Sequence, residues 1–178
     1  MDRLKNKVAI VTGAGRLGNI GLAVCEAFLR EGARAVIGTD VRTDQAEAII
    51  SRVAAKYGRE RFRLVSHDAT DEAAWRRLVD EAAADFGGLD VLVNNAGIAV
   101  HGGILDTSLE DLRKVMAVNH DALFLGIKTC APLLEAAVAR HPGGGAIVNN
   151  ASMASYMPNA NNIGYHVSKA AARMLTLC

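Results

Sequence analysis

Hydrophobic positions along this chain fall into short continuous runs separated by amphipathic stretches, and the two kinds of segment alternate. Val8-Ala9-Ile10-Val11 is an uninterrupted β-rich run that stops at Thr12-Gly13. From about Gly21 to Arg30, Leu22, Val24, Cys25, Phe28 and Leu29 gather on one side of a predicted helix. Ala35 to Asp40 predicts a second strand. Thr43 then opens a second helix, with Asp44 and Glu47 in its first turn to complement the dipole. Arg61 to Val65 reads as a third strand, and Asp71 starts a helix that carries Trp75, Leu78 and Val79. Leu89 to Val93 is the fourth strand. A long helical stretch from about Ser108 to Val138 follows, which Pro132 is expected to bend or divide. Ala146 to Val148 is the fifth strand, and Ile163 to Cys178 the last helix.

Apolar runs without polar alternation belong to strands covered on both faces. Strands that alternate with helices make right-handed βαβ units. The expected fold is therefore α/β, a doubly wound parallel sheet in three layers (α/β/α), formed as a single domain over 1–178. Gly143-Gly144-Gly145 reads as a flexible loop into the fifth strand, since no helix N-terminus follows it.

Composition narrows the partners. Lysine plus arginine number 20 against 19 aspartate plus glutamate, so the net charge of +1 offers no footing for nucleic acid or an anionic membrane. The uninterrupted apolar runs are too short to span a bilayer, and Met1 to Lys5 leads into no secretory apolar stretch. Cys25, Cys130 and Cys178 are scattered and odd in number, which argues against a disulfide framework or a zinc site and makes a reducing cytoplasm the expected compartment. His67, His101, His120, His141 and His166 show no metal-ligand spacing, so no metal is expected.

The turn after the first strand carries the first chemistry. Gly13, Gly15 and Gly18 form a GxGxxG. Gly13 and Gly18 also have P-loop spacing, but Asn19 and Ile20 stand where a lysine and a hydroxyl residue would be needed. A looser reading ends the turn at Gly21. Either dinucleotide reading uses the same physics: glycines admit a pyrophosphate close to the backbone, and a helix N-terminus supplies N–H groups and positive dipole. Asp40, at the end of the second strand, lies 19 residues beyond Gly21. A carboxylate there can accept from both ribose hydroxyls and would repel a 2′-phosphate, which favours NAD over NADP. Arg42 keeps NADP as the less favoured option.

Near the far end stands Tyr165-His166-Val167-Ser168-Lys169, a YxxxK that brings a phenol and an ammonium to one helix face. Ser152 lies 13 residues upstream, Asn94-Asn95-Ala96-Gly97 closes the fourth strand, and Asn119 sits in the following helix. With the glycine turn, this set resembles the short-chain dehydrogenase/reductase family along essentially the whole chain.

The resemblance implies a Rossmann sheet and interconversion of an alcohol and a ketone or aldehyde by hydride transfer with a nicotinamide cofactor. It implies Tyr165 as general acid/base and Lys169 as the residue that lowers its pKa and bonds the nicotinamide ribose. Ser152 would hold the substrate oxygen, and Asn119 a water in the proton relay. Gly13, Gly15, Arg16, Gly18, Asn19, Ile20, Gly21, Asp40, Val41, Asp68, Ala69, Asn95, Ala96 and Gly97 would line the cofactor, together with Tyr165 and Lys169. A homodimer or homotetramer built through the long helix and the catalytic helix is also implied. The lysine role is sound chemistry in its own right: an unperturbed phenol, near ~10, is a poor base at neutral pH, and a nearby ammonium stabilises its anion. Ile98, Val100, Met153, Tyr156 and Met157 hint at a hydrophobic or alicyclic substrate.

Two departures from the family pattern stand out. The glycine turn is two residues longer than TGxxxGxG, and Asn19 replaces its middle glycine, a substitution that asparagine's tolerance of left-handed backbone would allow. The pattern also stops soon after Lys169, so the last strand or strands and the substrate lid are expected to be missing. The alternative reading is then a non-catalytic dinucleotide-binding fragment.

Overall fold

The apolar runs pair edge to edge, as continuous runs of β-formers should. A computed structural model describes residues 2–178. Among the described residues, β1 (Val8–Thr12), β2 (Ala35–Asp40), β3 (Phe62–Ser66), β4 (Val91–Asn94) and β5 (Ala146–Asn149) form one sheet in the order β3-β2-β1-β4-β5. Every pairing is parallel. The order reverses between β1 and β4, and a crevice opens there beyond the strands' C-terminal ends.

The helices are α1 (Ile20–Arg30), α2 (Ala46–Tyr57), α3 (Glu72–Phe86), α4 (Leu109–Met116), α5 (Ala122–Ala136) and α6 (Ile163–Leu177). Alternate strand residues serve two cores. Ala9, Val11, Val36 and Val93 pack with Leu22 and Cys25 of α1 and Ile49 and Val53 of α2. Val8, Ile10, Ile37 and Leu92 pack with Trp75 and Leu78 of α3 and Cys130 and Leu134 of α5. This is the three-layer arrangement the pattern predicts. Burial pushes the Cys25 and Cys130 thiols up to about 12, which leaves both inert at neutral pH.

Several local expectations need correction. Thr43 does not open α2: its carbonyl accepts from the Ala46 N–H in a turn, and the helix begins at Ala46, which leaves Asp44 outside and Glu47 in the first turn. The long helix is not divided at Pro132, which lies inside α5. Its irregularity is a π turn over Ala117–Asp121 that carries Asn119. Taken together, Leu109–Ala139 is long and apolar enough to cross a membrane by length and composition alone, which the reading of uninterrupted runs did not foresee. Here it is a layer helix, with Cys130 and Leu134 against the Trp75 core.

The fifth strand is an exposed edge, with Ile147 and Val148 open to solvent. Gly145 is also more than flexible linker, because a Cβ there would stand 2.5 Å from the Leu134 carbonyl oxygen.

Candidate active site

The crevice is a cleft of about 740 Å³, within the range of small-molecule and cofactor sites. Its floor is the junction of β1 and β4. Thr12 Oγ1 accepts from the Asn95 and Ala96 N–H groups at 2.9 and 3.0 Å. The Asn95 amide donates to the carbonyls of Thr12 and Gly13 at 2.9 and 3.2 Å. Gly13 adopts φ 72°, and a Cβ on it would meet Ala96 Cα at 2.9 Å. The two strand ends are thus sewn together with no room for a side chain between them.

The glycines of the turn do different work. The Gly15 N–H donates to Asp40 Oδ2 at 2.8 Å, and the Arg42 N–H donates to Oδ1 at 3.0 Å. Gly18 turns at φ 76° in open space. Gly21 sits in the first turn of α1, where a Cβ would lie 2.2 Å from the Gly13 oxygen. Asn19 is not the left-handed residue expected. At φ −83° it is the N-cap of α1: its Oδ1 accepts from Leu22 N–H at 2.8 Å, and its amide donates to Gly13 O at 2.9 Å. The longer turn therefore still delivers α1's N-terminus to the cleft. Gly13, Arg16, Gly18, Asn19, Ile20, Asp40, Val41, Asp68, Ala69, Asn95, Ala96 and Gly97 line it. Gly15 and Gly21 do not; they are packed beneath, where they let the others approach.

At the other end of the cleft, α6 presents Tyr165 and Lys169. Lys169 is 4% exposed, its Nζ donates to the Asn150 carbonyl at 2.7 Å, and it lies 5.7 Å from the Tyr165 ring centroid. Burial lowers its pKa from the usual lysine value.

Ser152 and Asn119 are placed differently from the other two. Ser152 follows β5 and caps a short turn, accepting from Ala154 N–H at 3.1 Å, and it lies outside the cleft lining. Asn119 is fully buried, also outside the lining. Its Oδ1 accepts from Ile98 N–H at 2.8 Å, and its amide donates to Ile98 O and Ser168 Oγ at 2.8 and 2.9 Å. The side chain is thus spent on clamping the loop after β4 to α6. π turns often mark functional sites, and this one provides the turn in which Asn119 sits.

Sequence reasoning missed Thr12, Asn150 and His67. A hydroxyl directly before the glycine turn was a usable signal for the first. Nothing in the sequence pairs Asn150 with Asn95, although its amide donates to Asn95 Oδ1 at 2.9 Å.

His67 lines the cleft yet is buried. Its Nδ1 lies 3.2 Å from Thr39 Oγ1, its ring stands edge-on to Trp75, and its Nε2 has no partner. Desolvation lowers its pKa from 6.5, outweighing Asp68 and Asp71, while Arg77 adds to the lowering. Between the folded value and 6.5, the unfolded chain therefore binds more protons, and stability rises with pH. Melting temperature should fall as pH drops from 6.5 and level off below the folded value, and a His67→Gln chain should lose this slope. Equal slopes in the two proteins would refute the assignment.

Comparisons with known proteins agree with this fold. The short chain dehydrogenase family profile matches residues 7–178. The chain belongs to that family. Among curated short-chain dehydrogenases, it is 37% identical over 175 residues to the 2,5-dichloro-2,5-cyclohexadiene-1,4-diol dehydrogenase of Sphingobium indicum, covering 98% of this chain and 66% of that protein. It is 40% identical to the NADP-dependent (R)-specific alcohol dehydrogenase of Lentilactobacillus kefiri, with the same coverage. A short-chain dehydrogenase/reductase from Burkholderia phymatum in complex with NAD superposes with TM-score 0.88 at 28% identity, over 99% of this chain and 60% of that one. The chain thus spans about two thirds of the length of the curated relatives it matches.

Proposed function

We propose that this short-chain dehydrogenase chain carries the cofactor-binding and catalytic part of an NAD-dependent enzyme that interconverts a secondary alcohol and a ketone. One observation carries the reading: the buried Lys169 ammonium and the Tyr165 phenol share a single cleft with the glycine turn and the N-terminus of α1.

The cleft suits a dinucleotide. The close approach at Gly13 and Gly21 leaves backbone where a phosphate would lie, and α1's N–H groups favour an anion. Arg16, Asn19 and Ile20 would hold the pyrophosphate, Asp40 the adenosine ribose, and Asp68 and Ala69 the adenine. Asn95, Ala96 and Gly97 would form the wall beneath, and Lys169 would bond the second ribose. Bound nicotinamide would supply the hydride acceptor or donor.

The protein's own work is proton traffic and position. Tyr165 takes the proton from the alcohol oxygen or returns it to the ketone. Lys169 stabilises negative charge as it develops on the phenol oxygen. Ser152, next to the cleft residue Ala151, donates to the substrate oxygen. Asn119 fixes Ile98, which lines the cleft. Relatives named as dehydrogenases of a cyclohexadiene diol, a hydroxysteroid and a hydroxycyclohexanecarboxylate support an alicyclic alcohol here.

The test is fluorescence titration with NADH and NADPH, followed by NAD reduction with cyclohexanol and a wider alcohol panel. NADH should bind tighter than NADPH, and NAD should be reduced. NADH binding with no turnover on any alcohol would instead favour a non-catalytic binding module.

The cofactor preference has its own prediction. Asp40 is already held by two N–H groups, so its charge is fixed at the ribose end. Asp40→Ala should shift the NADH to NADPH affinity ratio by about tenfold toward NADPH, or ~1.4 kcal/mol. An unchanged ratio would remove the basis for choosing NAD.

A further inference from the structure

We propose that His166 is a positioning residue for the substrate side of the site, locking a two-loop wall next to Tyr165. The inference rests on the dehydrogenase reading above and extends it to a residue that the reading leaves idle. His166 follows Tyr165 on α6, but its ring lies nearly perpendicular to the phenol with centroids 6.4 Å apart, and it does not line the cofactor cleft. It is 8% exposed, and both ring nitrogens are used. Nδ1 lies 2.6 Å from the Asn162 carbonyl, an oxygen that can only accept. Nδ1 therefore carries the proton, and Nε2 is left with a lone pair. That lone pair accepts from the Asn159 N–H at 3.1 Å. One bond fixes the ring's tautomer and direction, and the other uses that direction to hold a loop.

Just before the loop, Tyr156 is tied to α6 by Arg173, which donates to its hydroxyl and lies over its ring; the loop itself has little else to hold it. Pro158 to Asn161 are exposed, and so are Tyr156 and Met157 before them. Its second anchor is backbone pairing: Gly102 N–H donates to Asn161 O at 3.0 Å, and Ile163 N–H donates to Gly102 O at 3.4 Å. The next residue, Gly103, is fixed by Thr107, whose Oγ1 donates to Gly103 O at 2.8 Å. The segment from Ser152 to Tyr165 is thus pinned from below by the imidazole and from the side by the loop after β4. Ser152 and Tyr165, the two proposed partners of the substrate oxygen, stand at the ends of this segment. The wall lies outside the dinucleotide cleft, so a change in it should act on the alcohol and not on the cofactor.

Three variants of the full chain test this. His166→Phe keeps the ring's bulk and removes both bonds. His166→Gln places an amide oxygen near the position of Nε2, and His166→Asn places an amide N–H near that of Nδ1. The readouts are hydrogen exchange at the Asn159 amide, NADH affinity by fluorescence, and kcat and KM for cyclohexanol. In His166→Phe, Asn159 should lose its exchange protection, and KM should rise about tenfold, the scale of one lost buried bond, with kcat and NADH affinity nearly unchanged. His166→Gln should recover more of both the protection and the KM than His166→Asn does. Unchanged exchange at Asn159 in all three variants would overturn the latch. Lost protection with an unchanged KM would overturn its substrate role. A wild-type chain that binds NADH but turns over no alcohol would count against the dehydrogenase reading, while the exchange measurement would still decide the latch.

Discussion

Tyr165→Phe should bind NADH as tightly as the wild type and oxidise cyclohexanol slower by a factor of about 10² to 10⁴, the range for a positioned general acid/base. Only the hydroxyl is removed. The ring remains over Lys169, whose Nζ is held by the Asn150 carbonyl and not by the phenol, so the cleft keeps its shape. The loss should appear in kcat and kcat/KM alike, as expected for an interaction made in the transition state. Lys169→Met should be slower as well, because negative charge developing on the phenol oxygen loses its neighbouring ammonium. It should also weaken NADH binding, which Tyr165→Phe should not. Burial already draws Lys169 below the usual lysine range, so its ammonium titrates closer to the working pH than an exposed lysine would. If Tyr165→Phe kept wild-type turnover, the proton would have another carrier and the proposed mechanism would fail.

The strands and the glycine turn are legible in the sequence because both are local. Val8 to Val11 is a strand by its own composition, and Tyr165 and Lys169 share a face through one turn of one helix. What the sequence hides is mostly contact between distant segments. Asn19 looks like a damaged glycine until α1's N-terminus needs a cap, and then its two hydrogen bonds explain it. The side-chain contacts of Asn119 are hidden as well: its amide bonds Ile98 and Ser168, from a loop and a helix that periodicity cannot place side by side. The sequence puts the irregularity of the long helix at Pro132, a helix breaker. A π turn has no such marker residue, and this one occurs at Asn119. The local contact of Ser152 is hidden too: its Oγ accepts from the Ala154 N–H, which leaves its O–H free to donate.

Gly21→Ala should cost the chain both its cofactor and part of its stability, and Gly18→Ala is the contrast that says why. Gly21 lies where α1 leaves the turn. An added Cβ would stand 2.2 Å from the Gly13 oxygen, 2.7 Å from its carbon and 2.8 Å from the Asn95 amide nitrogen. The first two are backbone atoms and cannot swing aside. Gly13 cannot retreat either, because there is no room for even a Cβ between it and Ala96, and its carbonyl receives Asn19 and Asn95. The methyl must therefore push α1 away from the end of β1. Overpacking of this kind costs about 1–3 kcal/mol, and it moves the N–H groups that would receive the pyrophosphate. NADH affinity should fall by well over tenfold (more than about 1.4 kcal/mol). Gly18 has no atom within 4 Å of its would-be Cβ, but its φ of 76° strains any L-residue. That strain costs on the order of 1–2 kcal/mol without shifting α1. Gly18→Ala should thus melt earlier than wild type and still bind NADH. Thermal unfolding beside NADH titration separates the two effects. If the variants lose equal stability and only Gly21→Ala loses the cofactor, the contact between α1 and the turn is the cradle. If both bind as wild type, the dinucleotide lies elsewhere, and the role given to this turn is wrong.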